Sequence, residues 1–88
     1  MANTKSAEKR IRQTATRRER NRAQRSKMRT AVRNLRRAVE SGEKEQAEEL
    51  LPATLRLIDA TAQKDIIHRN TAGRSKSRLS RAVAAMSD

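Results

Sequence analysis

Apolar side chains recur at Met28, Ala31, Val32, Leu35, Ala38 and Val39, in steps of three and four that place them along one face of an α-helix. Upstream, residues 5–27 contain neither glycine nor proline and are rich in strong helix formers, but Ile11 is their only large apolar residue. The pattern predicts one helix from about Lys5 to Glu40, roughly 54 Å long at about 1.5 Å per residue, of which only the second half has a face to bury. Ser41-Gly42 ends it, because glycine takes the left-handed conformation that closes a helix.

A second amphipathic run begins near Glu43, where Glu43 and Glu45 suit the positive end of the helix dipole, and continues through Ala47, Leu50, Leu51, Thr54, Leu55, Ile58 and Ala62. Pro52 lies inside it and predicts a kink or a restart, since proline removes a hydrogen bond and crowds the preceding turn. Asp65 offers a cap for a third helix, in which Ala72, Leu79, Ala82, Val83 and Met86 repeat at three, four and seven. No segment alternates with the two-residue period of a strand. The expected fold is all-α: a three-helix antiparallel bundle with a long basic N-terminal helix extending beyond it. Residues 1–88 form one domain, with 1–27 as the basic arm of the first helix and 28–88 as the bundle.

Composition sharpens this picture. The 88 residues include thirteen Leu, Ile and Val and no Phe, about 15%, below the roughly 20% at which a highly charged chain is usually disordered. The core must therefore be small. Lys and Arg outnumber Asp and Glu by 22 to 10, a net charge of +12. Residues 1–37 alone carry 14 basic and 2 acidic side chains, residues 38–66 are net acidic, and residues 67–88 are basic again. Such a surplus repels itself unless a polyanion neutralises it, and nucleic acid or an anionic membrane surface can do so. The chain has no cysteine, which excludes disulfides, zinc fingers and thiol nucleophiles. Its longest apolar run, Ala82 to Met86, is far short of a membrane span, and no signal-peptide core follows the basic start. Ile11 alone does not supply the apolar face of an organellar transit peptide. A soluble protein with no mark for secretion is expected.

Catalysis has no foothold in these residues. Glu40, Glu43, Glu45, Glu48 and Glu49 form an acidic cluster with no base, metal ligand or nucleophile beside it, so a solvated helix face explains them better. His68 is the single histidine, and a surface or phosphate-contacting role suits it better than catalysis or metal binding. Ser75 and Ser77 lie among basic residues but within no nucleophile elbow or phosphate loop. No cofactor is implied. The run from Arg17 to Arg29 differs, because on a helix it places cations on nearly every side of the cylinder. A disordered basic tail carries the same charge, but uninterrupted helix-forming composition leading into the periodic segment favours a helix.

With no Phe, Tyr or Trp, the chain cannot build the aromatic platforms on which many single-strand binders stack bases. Phosphate contact and shape reading by Arg and Lys remain, with Asn21, Asn70 and hydroxyls as positioning donors. Structured RNA and duplex DNA both fit. Arg17 to Arg22 leading into apolar heptads is similar to a basic-region leucine zipper, the DNA-binding alternative. Against it, Gln24 and Arg25 stand where that family has alanines, and the apolar seam ends at Val39, short of three to four sustained heptads.

Taken together, Met1-Ala2-Asn3, Lys5-Ser6-Ala7, Lys9-Arg10, Arg17-Arg18, Asn21, Arg25-Ser26, Met28-Arg29-Thr30, His68, Asn70, Ala72, Arg74 and Lys76-Ser77-Arg78-Leu79 closely resemble the bacterial small-subunit ribosomal proteins of the family numbered twenty. The resemblance spans nearly the whole chain, though the middle third matches mainly in length and helical pattern. It implies a three-helix bundle with a long first helix, no enzymatic activity, and a cytoplasmic location within the ribosome. It also implies direct binding to 16S rRNA early in assembly, against the 5′ domain and the long penultimate stem. Other ribosomal proteins would be met at most peripherally, and neither a membrane nor a small-molecule substrate is implied. Carried over by position, the RNA contacts would come from Lys5, Lys9, Arg10, Arg12, Arg17, Arg18, Asn21, Arg22, Arg25, Ser26, Lys27, Arg29, Thr30 and Arg33 on the first helix. His68, Arg69, Asn70, Arg74, Lys76, Ser77 and Arg78 would supply the rest. Pro52, Asp65 where glycine is common and Gly73 where alanine is common depart from the family pattern and bear on helix boundaries.

Overall fold

Residues 4–86 are described by a computed structural model and form three helices: α1 (Lys5–Glu40), α2 (Lys44–Gln63) and α3 (Arg69–Ala84). The Met1-Ala2-Asn3 motif lies outside the described residues. Helix α1 has the predicted bounds. Thr4 precedes it in extended conformation, and its hydroxyl accepts the Ala7 N–H at 3.2 Å, while Glu8 sits in the first turn at the positive end of the dipole.

Both interhelical turns close by the same backbone device. After α1, the Gly42 N–H donates to the Val39 carbonyl and the Glu43 N–H to the Ala38 carbonyl, with Gly42 at φ +72°. After α2, the Asp65 N–H donates to Ala62 and the Ile66 N–H to Thr61, with Asp65 at φ +58°. These paired bonds form a Schellman closure, which requires a left-handed residue one position past the C-cap, here Ser41 and Lys64. Asp65 therefore does not cap α3, contrary to expectation. It closes α2 in the position where glycine is favoured, because aspartate tolerates this backbone region better than most side chains. The cap of α3 falls instead to His68, whose Nδ1 accepts the Asn70 N–H at 3.0 Å. The intervening Ile66 and Ile67 are half-buried, and Ile67 packs against the core before α3 can start.

Helix α2 continues across Pro52 without a restart. Pro52 is solvent-exposed, on the side of the helix where a carbonyl deprived of its donor can turn to water. Leu35, Ala38, Ala47, Ile58, Ala72, Leu79 and Val83 form the buried core, flanked by half-buried Met28, Val32, Leu50, Leu51, Ala62 and Met86. Helix α2 is the middle element and packs on both neighbours, while α1 and α3 touch each other sparsely. Two polar residues are buried with it, and both are satisfied: the Thr54 hydroxyl donates to the Leu50 carbonyl at 2.9 Å and that of Thr61 to Leu57 at 2.7 Å. The described chain is therefore an antiparallel three-helix bundle from which the first half of α1 projects, giving extents of 67 × 21 × 15 Å.

Candidate nucleic-acid interface

Every residue from Glu8 to Arg20 is exposed, so this stretch of α1 has no tertiary partner among the described residues. Helical geometry then sorts its side chains. Lys9, Arg20 and Lys27 lie along one line, and Arg10, Arg17 and Gln24, seven residues apart, lie along the next. Glu8 and Glu19, eleven residues apart and thus about three turns, fall together on the opposite side with Ile11 and Ala15. Cations do surround the cylinder, as the sequence indicates, since Arg12, Arg18 and Arg22 share the side that bears the acids. The acids do not surround it. One long face of the arm is thus free of carboxylates, and it is the face that continues the core side of α1 into solvent. Thr14 and Thr16 donate their hydroxyls to the Arg10 and Arg12 carbonyls at 2.9 Å, which leaves the cations as the main donors presented outward.

Of the expected first-helix contacts, Lys5, Lys9, Arg10, Arg12, Arg17, Arg18, Arg22, Ser26, Lys27, Arg29, Thr30 and Arg33 are exposed, whereas Asn21 and Arg25 are half-buried where the arm enters the bundle. The second set lies at the opposite edge of α2. His68 caps α3; Arg69, Asn70, Arg74 and Arg78 are exposed; Lys76 and Ser77 are half-buried. With Nδ1 accepting the cap hydrogen bond, the exposed His68 ring keeps Nε2–H as its outward donor. The Lys76 ammonium is engaged by the Asp59 carboxylate at 2.7 Å, a surface pair that holds α3 to α2 and lowers the net charge Lys76 presents.

Three exposed arginines extend these surfaces beyond the residues expected from the sequence. Arg20 belongs to the acid-free face of the arm. Arg36 and Arg37 continue the line of Arg29 and Arg33 along a groove of about 510 Å³ between α1 and α3, lined also by Met28, Val32, Glu40 and Ser75. The signal was present in the spacing of Arg29, Arg33, Arg36 and Arg37, which puts them on one ridge; what spacing cannot supply is the sparse α1–α3 contact that leaves the ridge open. The acidic residues Glu43, Glu45, Glu48 and Glu49 are exposed at the α1–α2 turn, the far end of the molecule from the arm.

This arrangement presents exposed cationic and hydrogen-bond-donating side chains at two edges of the described chain. The family model for ribosomal protein S20 matches residues 2–84. Small ribosomal subunit protein bS20 of Nitrosomonas europaea is 57% identical over 86 residues, covering 98% of this chain and 99% of that protein. The bS20 proteins of Thiobacillus denitrificans and Burkholderia cenocepacia are 46% and 49% identical, over 98% of this chain and 99% and 96% of theirs. Because the likeness runs through the arm, both turns and α3 rather than through one basic helix, the chain belongs to the ribosomal protein S20 family.

Proposed function

We propose that this protein binds the 16S rRNA of the small ribosomal subunit directly, through phosphate and shape contacts, and so helps that RNA to fold and assemble. Membership in the family makes it a structural, non-enzymatic ribosomal protein of the cytoplasmic ribosome. The observation that carries the RNA reading is the carboxylate-free face of the arm, which offers Lys9, Arg10, Arg17, Arg20 and Lys27 with no tertiary partner to neutralise them. Cations without a core to cover gain most from a polyanion, because each phosphate engaged releases condensed counterions. The outer face of α3, with Arg74 and Arg78 beyond the turn at His68 and Arg69, adds a second contact, so the protein bridges two RNA segments. By resemblance these are the 5′ domain and the penultimate stem. Competition between a small-subunit rRNA fragment and duplex DNA of equal length tests the reading, with co-sedimentation on small subunits as the companion measurement. Preference for the rRNA fragment is expected. Equal affinity for the two would instead support a DNA-binding basic helix.

A further inference from the structure

At the point where the arm leaves the bundle, Gln24 reaches across to α2. Its Nε2 donates to the Thr61 hydroxyl at 3.0 Å, and its Oε1 accepts from the Lys64 ammonium at 3.4 Å. Thr61 is fully buried, and its hydroxyl also donates to the Leu57 carbonyl at 2.7 Å, so the acceptor that holds Gln24 cannot move without breaking a second bond. Gln24 is thus clamped from both ends of its amide at the last turn where α1 touches α2.

Arg17 and Arg10 stand seven and fourteen residues before Gln24, and at about 100° per residue they project from nearly the same side of the helix. That side points toward the end of α2, where Lys64 and the turn to His68 and Arg69 lie. Rotation of α1 by one residue, about 100°, would swing both arginines away from that turn, and a half-turn would bring the face of Glu8 and Glu19 round in their place. The apolar contacts of Val32 and Leu35 tolerate small rotations, being non-directional, whereas a two-ended amide clamp does not.

We propose that Gln24 is a positioning residue: its bonds to Thr61 and Lys64 set the rotation of the arm so that Arg17 and Arg10 share one RNA segment with the α2–α3 turn. This rests on the RNA-binding reading above. Arm and turn then act as the two walls of a single corner, and specificity comes from the angle between them as well as from their charge.

The absence of native cysteine makes the test direct. Iron–EDTA is tethered to Arg17→Cys or to Arg69→Cys, and hydroxyl-radical cleavage of a small-subunit rRNA fragment is mapped for each. Overlapping cleavage from the two probes is expected. Introducing Gln24→Met should shift the cleavage pattern of the arm probe while leaving that of the turn probe in place, and should weaken binding about threefold to tenfold, the net worth of roughly one hydrogen bond. Thr61→Val, which keeps the shape but removes the hydroxyl, should do the same; circular dichroism confirms that each variant retains its helices. An arm pattern unmoved in folded Gln24→Met protein would overturn the proposal, as would cleavage by the two probes in unrelated RNA segments. Absence of cleavage from both probes would instead overturn the RNA-binding reading on which it rests.

Discussion

Gly73 and Asp65 each run against local preference, a glycine inside a helix and a non-glycine at positive φ, and their backbones give the two departures different meanings. Gly73 lies inside α3 with helical dihedral angles, and a Cβ added there meets nothing within 4 Å. The glycine therefore supplies no close approach and no unusual turn. It costs conformational entropy that alanine would not. We expect Gly73→Ala to stabilise the fold by about 0.5–1 kcal/mol, read as a higher urea midpoint at unchanged slope. Asp65, by contrast, is held at φ +58°, where most side chains are strained. Its role as the closing residue of α2 was hidden in the sequence because aspartate is also a common N-cap. Only the backbone bonds from Asp65 to Ala62 and from Ile66 to Thr61 distinguish the two uses.

Among the elements, α2 carries the greatest conflict between local preference and tertiary demand. Its interior proline forfeits one backbone hydrogen bond, yet the helix is not interrupted there, because Ala47 before it and Thr54, Ile58 and Thr61 after it are buried in the same core. Replacing Pro52 by Ala should add about 1–3 kcal/mol of stability, and thermal unfolding should rise by several degrees, at roughly 4–8 °C per kcal/mol for a domain of this size. An unchanged midpoint would mean that the lost bond is already recovered elsewhere. The first two helices were legible, α1 to the residue and α2 to within one: burial of one face is written as steps of three and four, and in residues 5–27 helix-forming composition without glycine or proline stands in for that pattern. The start of α3 was not, since its cap is a histidine ring whose capping role depends on the turn before it.

The whole molecule is far more extended than its length requires, with a radius of gyration of 17.8 Å against about 12 Å for a compact chain of this size. The excess is the arm, and two predictions follow from leaving so much charge outside a core. If about six phosphates are neutralised, RNA affinity should fall about a thousandfold between 50 and 200 mM salt. Arg17, Arg18, Arg22 and Arg29 are all exposed, so changing the four to Gln should flatten the salt slope by about 3 without loss of the bundle. Arg25 is excluded from that set because it is half-buried beside α2. In free protein, amide hydrogens of residues 9–20 should exchange rapidly, since ordering them costs about 1–2 kcal/mol per residue and no side chain there buries apolar surface. RNA should protect them strongly. Strong protection without RNA, in monomeric protein, would refute this coupling of order to binding.

Periodicity, charge and missing residue types were enough to predict the all-α bundle with a basic extension that the structure has, and they point to a polyanion as its partner. These properties are sums over many positions, and they survive errors at any one of them. The tertiary structure decided what depends on two distant residues meeting: Gln24 on Thr61, Lys76 on Asp59, and the open ridge formed by Arg29, Arg33, Arg36 and Arg37. Gln24 and Thr61 are 37 residues apart, and neither fits an apolar pattern, so no local signal marks them. A hydrogen bond is directional and short in range; it exists only after packing has brought both partners within about 3 Å of each other.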